Sequence, residues 1–544
     1  MADRKLIVIV DADAGTGTGT DGVHVAEWQR QALATLDPSD HLIILACTNT
    51  RLARKPLRYP LYYALNLLAV RNALTRFVPL RGLTAQLAAR HEFASEPDGA
   101  WQKLPQAVID LIAGSGAVAV IKLGMGLMRV PADLTLPVLS WHHGDPERFR
   151  GRPAGFWELA SGFPVIGQMV QVIGNRLDAG AVVAFAETRV FPHSWKATLL
   201  EAFRHSPLLL GPALDRAIAG EALAKPTTGH NYRLPGNRAV AKVAGRLGWA
   251  KVKRLAYGAV MEKHWRVSLA HVAGADAAAA IVTGAGTLPA EQGWTGLPNP
   301  PGCTFVADPF FAEDGLAVLV EALSARTGAG EIHRIDPCGS VKLSREAGHY
   351  SYPAMIREGD ESFCVPEIAQ WSAPLAYRVT DRLEAHAALE IADSPRITDP
   401  TFVRHDGSLY LFGNVASEGS NVLRLWHSAG LFARFTEHPA SPVRISPRGS
   451  RMGGDILHDG TRMIRIGQDF SRDYGDGLIA FAIDSLSPHS YRETEIGAFR
   501  LTDRKGPHTF NLSPDGSRIL FDWYLDGFSP FAGVRRVLAR LRRK

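Results

Sequence analysis

Asp399-Pro-Thr-Phe-Val-Arg-His-Asp-Gly407 is a short apolar run that ends in an Asp-Gly pair, and four other stretches of the chain repeat its texture. They are Asp308-Pro-Phe-Phe-Ala-Glu-Asp-Gly315, Tyr352-Pro-Ala-Met-Ile-Arg-Glu-Gly359, Gly454-Asp-Ile-Leu-His-Asp-Gly460 and His508-Thr-Phe-Asn-Leu-Ser-Pro-Asp-Gly516. Asp-Gly between apolar runs is a strong hairpin signal. The turn glycines step along the chain by 44, 48, 53 and 56 residues. A period near 50 is that of four-stranded units arranged radially, so residues 265–527 are expected to form an all-β propeller of five blades.

The first strand of each blade lines a propeller's channel, so the residues that open each repeat converge on the axis. Asp308, Glu367, Asp399, Asp469 and His508 lie at or near such positions, with Arg451 as a partner for their charge. Carboxylates crowded into one funnel repel unless some are protonated or paired. A glycosidase uses such an arrangement, one acid protonating the leaving oxygen while a carboxylate activates water or attacks carbon. The plainer reading is that Asp-Pro and Asp-Gly pairs build turns; it accounts for the turn acids well and for Asp308, Glu367 and Asp469 poorly.

Residues 1–190 have another texture. Leu6–Val10, His41–Leu45, Ala117–Leu123 and Val138–Ser140 read as short buried strands, and Val23–Leu36 and Gln102–Ile112 show helical periodicity between them. That alternation predicts a parallel, Rossmann-like α/β winding. Gly17-x-Gly19-x-x-Gly22 matches the form of a dinucleotide fingerprint, but Asp11 and Asp13 part it from the strand and no acid follows the second strand. It reads instead as a glycine-rich loop. Residues 191–264, rich in Ala, Leu, Lys and Arg with proline breaks, predict a helical connector. Residues 528–544 place Phe531, Val534, Val537, Leu538 and Leu541 at helical spacing among arginines, a basic amphipathic helix that either rests on an anionic membrane or docks on the α/β domain.

The chain is 544 residues with a net charge of +6 and 46% apolar residues, enough for two or three globular cores. The excess charge gathers in 51–76 and 535–544; these read as solvated basic faces, and no nucleic-acid partner is expected. Cys47, Cys303, Cys338 and Cys364 lie far apart with no paired spacing, which predicts neither a disulfide framework nor a metal site and suits a reducing, cytoplasmic compartment. The run Leu6–Val10 leads into Asp11 and reads as a first strand, not a signal peptide.

One stretch carries chemistry: Ser140-Trp-His142-His143-Gly-Asp145, then Arg150-Gly151, then Leu177-Asp178-Ala-Gly180. An imidazole near a basic glycine loop, with a carboxylate thirty-six positions on, suits one-carbon acyl transfer to an amine. The spacing resembles the catalytic core of the 10-formyltetrahydrofolate-dependent formyltransferases. The resemblance implies that His142 orients the formyl group and steadies its oxyanion, that Asp178 holds the histidine's protonation state and relays the amine proton, and that Arg150 and Gly151 close the loop, with His143 lining the pocket. Ser140 stands where that family has asparagine, and loss of one oxyanion donor costs about 10²–10³ in rate. The implied acceptor is an amino sugar or sugar nucleotide and the implied donor 10-formyltetrahydrofolate, in surface polysaccharide or glycolipid assembly; the alternative is an inactive formyltransferase fold serving a sugar-handling propeller.

The propeller region resembles glycoside hydrolase family 43 and, more narrowly, the N-terminal propeller of plant glucosamine inositolphosphorylceramide transferases. The residues that carry this are Ala307-Asp308-Pro309, His349-x-Ser351-Tyr352-Pro353, Pro366-Glu367, Asp399-Pro400-Thr401-Phe402, Gln468-Asp469 and Gly506-x-His508-Thr509-Phe510-Asn511. On the family 43 pattern Asp308 matches the base and Asp399 the modulating acid. The place of the acid Glu holds Arg451-Met-Gly-Gly454, so the resemblance implies glycan binding ahead of hydrolysis.

Overall fold

The computed structural model describes residues 3–12, 23–49, 58–370 and 373–542, the last five of these by backbone alone. The glycine motif at 17–22 lies outside the described residues. The chain divides into two compact units, Met1–Lys253 and Arg254–Lys544.

The first unit is built on a seven-stranded sheet. Its strands are β1 (Lys5–Asp11), β2 (His41–Cys47), β3 (Gln86–Phe93), β4 (Ala119–Lys122), β5 (Val138–His143), β6 (Val165–Val172) and β7 (Ala181–Arg189), in the order β7-β6-β5-β4-β1-β2-β3. Leu6 to Val10 are wholly buried, as expected of a strand covered on both faces. Strands β1 to β5 run parallel, as the alternation predicts, but β6 and β7 are antiparallel to their neighbours. Between β6 and β7 the reason is connection length: residues 173–180 are too few for a crossover, and antiparallel neighbours need none. The sheet reverses its winding between β1 and β4, the switch point at whose carboxyl edge α/β proteins bind ligands.

Pro105 sets the start of the helix Gln106–Gly114, so 102–105 are not helical, and His24–Ala26 is a strand before the helix Glu27–Leu33. Most of residues 191–264, up to Lys253, lie within the first unit. Helices Trp195–His205 and Leu210–Ile218 bury Trp195, Leu199, Ala202, Leu210 and Leu214 and lie against β6 and β7. They belong to the first unit because their apolar stripes have no other cover, and the boundary falls inside the long helix Asn237–Val260.

Glu158, on the helix Phe156–Ser161, is 2% exposed, and its Oε1 has no partner. Burial pushes its carboxyl up to about 8, with the neighbouring Asp145 adding to the shift. The folded chain thus holds a proton that the unfolded chain has released, so this contribution is complete below pH 4.5 and is lost as pH rises toward 8. In thermal melts Glu158→Gln is expected to match the wild type near pH 4.5 and to exceed it at pH 8.5, by on the order of 4 kcal/mol at most. Equal pH profiles for the two proteins would contradict this.

The second unit is a five-bladed propeller of antiparallel sheets, three of four strands and two of four strands with a short fifth beside them. Blades 1 to 4 open with Cys303–Phe311, Tyr350–Glu358, Ile397–His405 and Arg448–Met452. Blade 5 is composite: Phe510–Leu512 and Arg518–Phe528 come from the end of the chain, Met261–His271 and Trp294–Gly296 from the start of the unit. Eleven residue pairs, from Met261 opposite Phe528 to His271 opposite Arg518, close the ring. All five turn glycines, 315, 359, 407, 460 and 516, hold φ between 60° and 86°, a region open to glycine at little cost.

A second regularity aims the inner strands. Asp308, Tyr352 and Asp399, each followed by proline, hold φ of 47°, 47° and 49°, and the pairing register breaks at each of these positions. Blade 4 breaks register likewise between Arg448 and Arg451. Such bulges re-aim a side chain at a cost of order 1–3 kcal/mol each, met by the surrounding packing.

Candidate functional site

In the first unit the carboxyl end of β5 and the loop 173–180 bring two predicted residues together. His142 Nδ1 lies 3.3 Å from Asp178 Oδ1, and the Gly151 amide donates to Asp178 Oδ2 at 3.2 Å. Burial works against the Asp178 charge, yet His142, the Gly151 amide and Arg150 together hold its carboxyl below the usual range. His142 Nε2, on the far side of the ring, is buried with no hydrogen-bond partner. Gly144 permits this placement, since a Cβ there would meet Phe149 O at 2.2 Å and His142 Nε2 at 2.9 Å.

Ser140 is two residues before His142 on the same strand, hence on the same face. His143 faces the other way: it packs against Trp28 and Phe203 and meets Ser206 Oγ at 2.8 Å. Burial holds its ring down to about 3, so it stays neutral. His143 is therefore a core residue and not a pocket lining, because the pleat turns consecutive side chains to opposite faces. Arg150 is part-buried and donates to Thr227 O at 2.7 Å, bracing the loop beside Asp178. A cavity of about 580 Å³ in the same unit is lined by Asp98, Lys103, Arg129, Asp133 and Asn175 among others, and neither His142 nor Asp178 lines it. Asn175 shares the Asp178 loop and is pinned to Val130 through both its amide atoms.

In the propeller, Asp399 and Arg451 form a two-pronged pair, Nε to Oδ2 at 2.5 Å and Nη2 to Oδ1 at 3.1 Å. Gln468 adds a third donor to Asp399 at 3.0 Å, and Glu367 stands 3.7 Å from Arg451. Glu367 Oε2 is buried without a hydrogen-bond partner, and burial next to Asp399 raises its carboxyl far above the usual range despite Arg451. Burial and the neighbouring acids raise Glu321 likewise. One guanidinium thus serves several carboxyls, and burial pushes two of them, Glu321 and Glu367, toward the protonated form.

His508 sits between two acids, with Nε2 3.3 Å from Asp308 and Nδ1 2.6 Å from Asp522. Burial opposes its charge, but the two carboxylates outweigh it and raise the ring above its ordinary value. Trp265, buried 4.1 Å from the His508 ring, and Tyr474 at 5.3 Å pack around the imidazole. Arg451 and Tyr474 are the members that reach solvent.

The predicted set Asp308, Glu367, Asp399, Arg451 and His508 is therefore brought together, whereas Asp469 is not. Asp469 pairs with Arg500 and accepts from the Ser471 amide, while its neighbour Gln468 points to Asp399. Sequence reasoning missed Glu321, Gln468, Asp522, Tyr474 and Trp265. Glu321 in Val318-Leu-Val-Glu-Ala and Asp522 in Ile519-Leu-Phe-Asp gave a signal, each a single acid inside an apolar strand.

Residues 295–517, about two-fifths of the chain, match the family described as glucosamine inositolphosphorylceramide transferase 1, N-terminal. Glucosamine inositolphosphorylceramide transferase 1 of Arabidopsis thaliana is 28% identical over 235 residues, 40% of this chain and 30% of that protein, so the chain spans under a third of its relative's length. Among solved structures, glycinamide ribonucleotide transformylase 1 from Symbiobacterium toebii aligns over 40% of this chain and 89% of its own, at 14% identity and a TM-score of 0.26. A family 117 glycoside hydrolase from Zobellia galactanivorans aligns over 40% and 83%, at 10% identity and a TM-score of 0.29.

Proposed function

We propose that this chain is a sugar- or glycolipid-modifying transferase whose first unit passes a formyl group from 10-formyltetrahydrofolate to the amine of an amino sugar, while the propeller grips the glycan. The observation that carries the first half is His142: its Nδ1 is held by Asp178 and its Nε2 is buried with nothing to bond. A buried polar atom without a partner costs stability, which a carbonyl oxygen seated there would return. In this reading His142 acts as an imidazolium, Nδ1–H held by Asp178 and Nε2–H donating to the formyl oxygen, while the sugar amine bonds to the formyl carbon, the bond from that carbon to the folate nitrogen breaks, and Asp178 helps pass the amine proton to the departing nitrogen; Ser140 adds at most a weak contact.

A thermal-shift series with the folate donor, paired with formyl transfer to a panel of amino-sugar nucleotides, tests this. Stabilisation that saturates with folate, together with turnover, is expected. The alternative, an inactive formyltransferase fold serving a carbohydrate-binding or glycosidase-like propeller, rests on Ser140 and on the raised Glu367 carboxyl beside the Asp399–Arg451 pair. It predicts oligosaccharide binding with no folate response.

The helix Ala532–Arg542 bears on where the protein works. Ala532 is buried, Gly533 packs on Ala259, and Arg536 donates to the Gly258 and Met261 carbonyls, so its small-residue face docks on the unit's first helix. Phe531, Val534 and Val537 are left between 56% and 64% exposed. An apolar ridge flanked by arginines suits an anionic membrane face and supports the reading of a peripheral protein at the inner face of the membrane. Val534→Glu with Val537→Glu is expected to lower binding to phosphatidylglycerol vesicles at least tenfold in a sedimentation assay; unchanged binding would remove the helix from this role.

A further inference from the structure

A cluster on blade 1 is used by neither reading above. Cys303 lies at the start of the inner strand Cys303–Phe311, and Glu331 and His333 lie on the third strand, Gly330–Asp336. The register places Cys303 opposite Ser324, Glu331 opposite Ala322 and His333 opposite Val320. Residues two apart on a strand share a face, and directly opposed residues point the same way. All three side chains therefore rise from one face, and the small residues Ala322 and Ser324 on the strand between let them meet over it.

They meet at one point. Cys303 Sγ is 3.9 Å from His333 Nε2, Glu331 Oε2 is 3.5 Å from the same nitrogen, and all three donor atoms lie within 4.8 Å of one another. This is not the layout of a cysteine–histidine dyad steered by an acid, where the acid would hold the other ring nitrogen. Here Nδ1 of His333 is buried without a partner, the residue is 6% exposed, and both neighbours address Nε2. Donors spanning a tetrahedral zinc ion, with Zn–S about 2.3 Å and Zn–N and Zn–O about 2.0–2.2 Å, would sit roughly 3.3–3.6 Å apart. The two spacings to His333 Nε2 lie within a few tenths of an ångström of this range, and the Cys303 to Glu331 separation, within 4.8 Å, closes by rotation of the partly exposed cysteine. Lys342 holds Glu331 by its other oxygen, Oε1, at 2.9 Å, fixing the carboxylate while leaving Oε2 facing His333.

We infer that Cys303, Glu331 and His333 form a binding site for a thiophilic divalent cation, Zn²⁺ being the best match, which ties the first strand of blade 1 to its third. Cys303 gives its thiol proton to solvent on binding, and its partial exposure leaves a fourth position open to water. The even scatter of cysteines along the chain hid this site, because only one of its ligands is a cysteine and the other two are brought in by the sheet.

The test uses the full chain, stripped with a chelator and titrated with Co²⁺ and then Zn²⁺. One equivalent of Co²⁺ is expected to give a thiolate-to-metal absorption in the near ultraviolet, displaced by Zn²⁺, and Zn²⁺ is expected to raise the melting temperature. Cys303→Ser should abolish the absorption and His333→Ala should weaken binding at least tenfold, while Cys338→Ser, on the exposed hairpin of the same blade, should change neither. Absence of the absorption in the wild type, or its persistence in Cys303→Ser, overturns the assignment. Zn²⁺ binding that survives both variants assigns the ion elsewhere, with the group Asp308, His508 and Asp522 the next candidate.

Discussion

Arg451→Met is expected to destabilise the propeller by about 3–5 kcal/mol, the usual cost of taking one partner from a buried ion pair. Arg451 supplies the counter-charge to Asp399, which is 1% exposed, and it is the cation nearest to Glu367. Without it, the bulge at Asp399 holds a carboxylate in the interior with only Gln468 to bond, and Glu321 and Glu367 lose the charge that offsets their repulsion. Urea unfolding of the two proteins reads the loss. The deficit should shrink as acid titrates the stranded carboxylates, and Asp399→Asn in the Arg451→Met background should recover part of it. A loss below about 1 kcal/mol at neutral pH would mean that Arg451 is not the hub of the cluster. Arg451→Lys keeps the charge but not the two-pronged geometry and should fall between.

His142→Ala is expected to slow formyl transfer by about 10²–10⁴ while leaving the fold intact, since one positioned acid–base group is worth that much. The ring is held at one nitrogen only, by a loop carboxylate, so its removal strands no network beyond Asp178. Asp178→Asn tests the orienting half: it preserves the shape of the contact with His142 and Gly151 but removes the charge, and should cost turnover more than donor affinity. Folate-induced stabilisation that persists in both variants, with activity gone, separates chemistry from binding. Full activity in His142→Ala would end the proposal for this unit, and the propeller would be left as the working half.

Much of this was legible along the chain because the signals are local. The five turn glycines are readable since each hairpin depends on its own positive-φ residue, and Asp308, Asp399 and His508 follow from standing seven or eight residues before those turns. His142 and Asp178 were legible as a pair of residue types at a given spacing. What failed to show was decided by neighbours distant in sequence. Whether Gln468 or Asp469 faces the axis is a one-residue question of pleat, and the same alternation sends His143 into the core beside Trp28 while His142 stays at the edge. Trp265 could not be placed near His508 from sequence, because its strand finds its partner only through ring closure. The antiparallel turn of the sheet at β6 and β7 was likewise hidden, since a buried strand reads the same in either direction.

That closing blade also sets a timetable for biosynthesis. Ser268 and Trp523, hydrogen-bonded across it, are 255 positions apart. At about 5–20 residues per second, the earlier strand waits on the order of tens of seconds on the ribosome before its mate emerges. During that interval it presents an unpaired edge, a natural client surface for chaperones and the place where a slow or stalled translation does most harm.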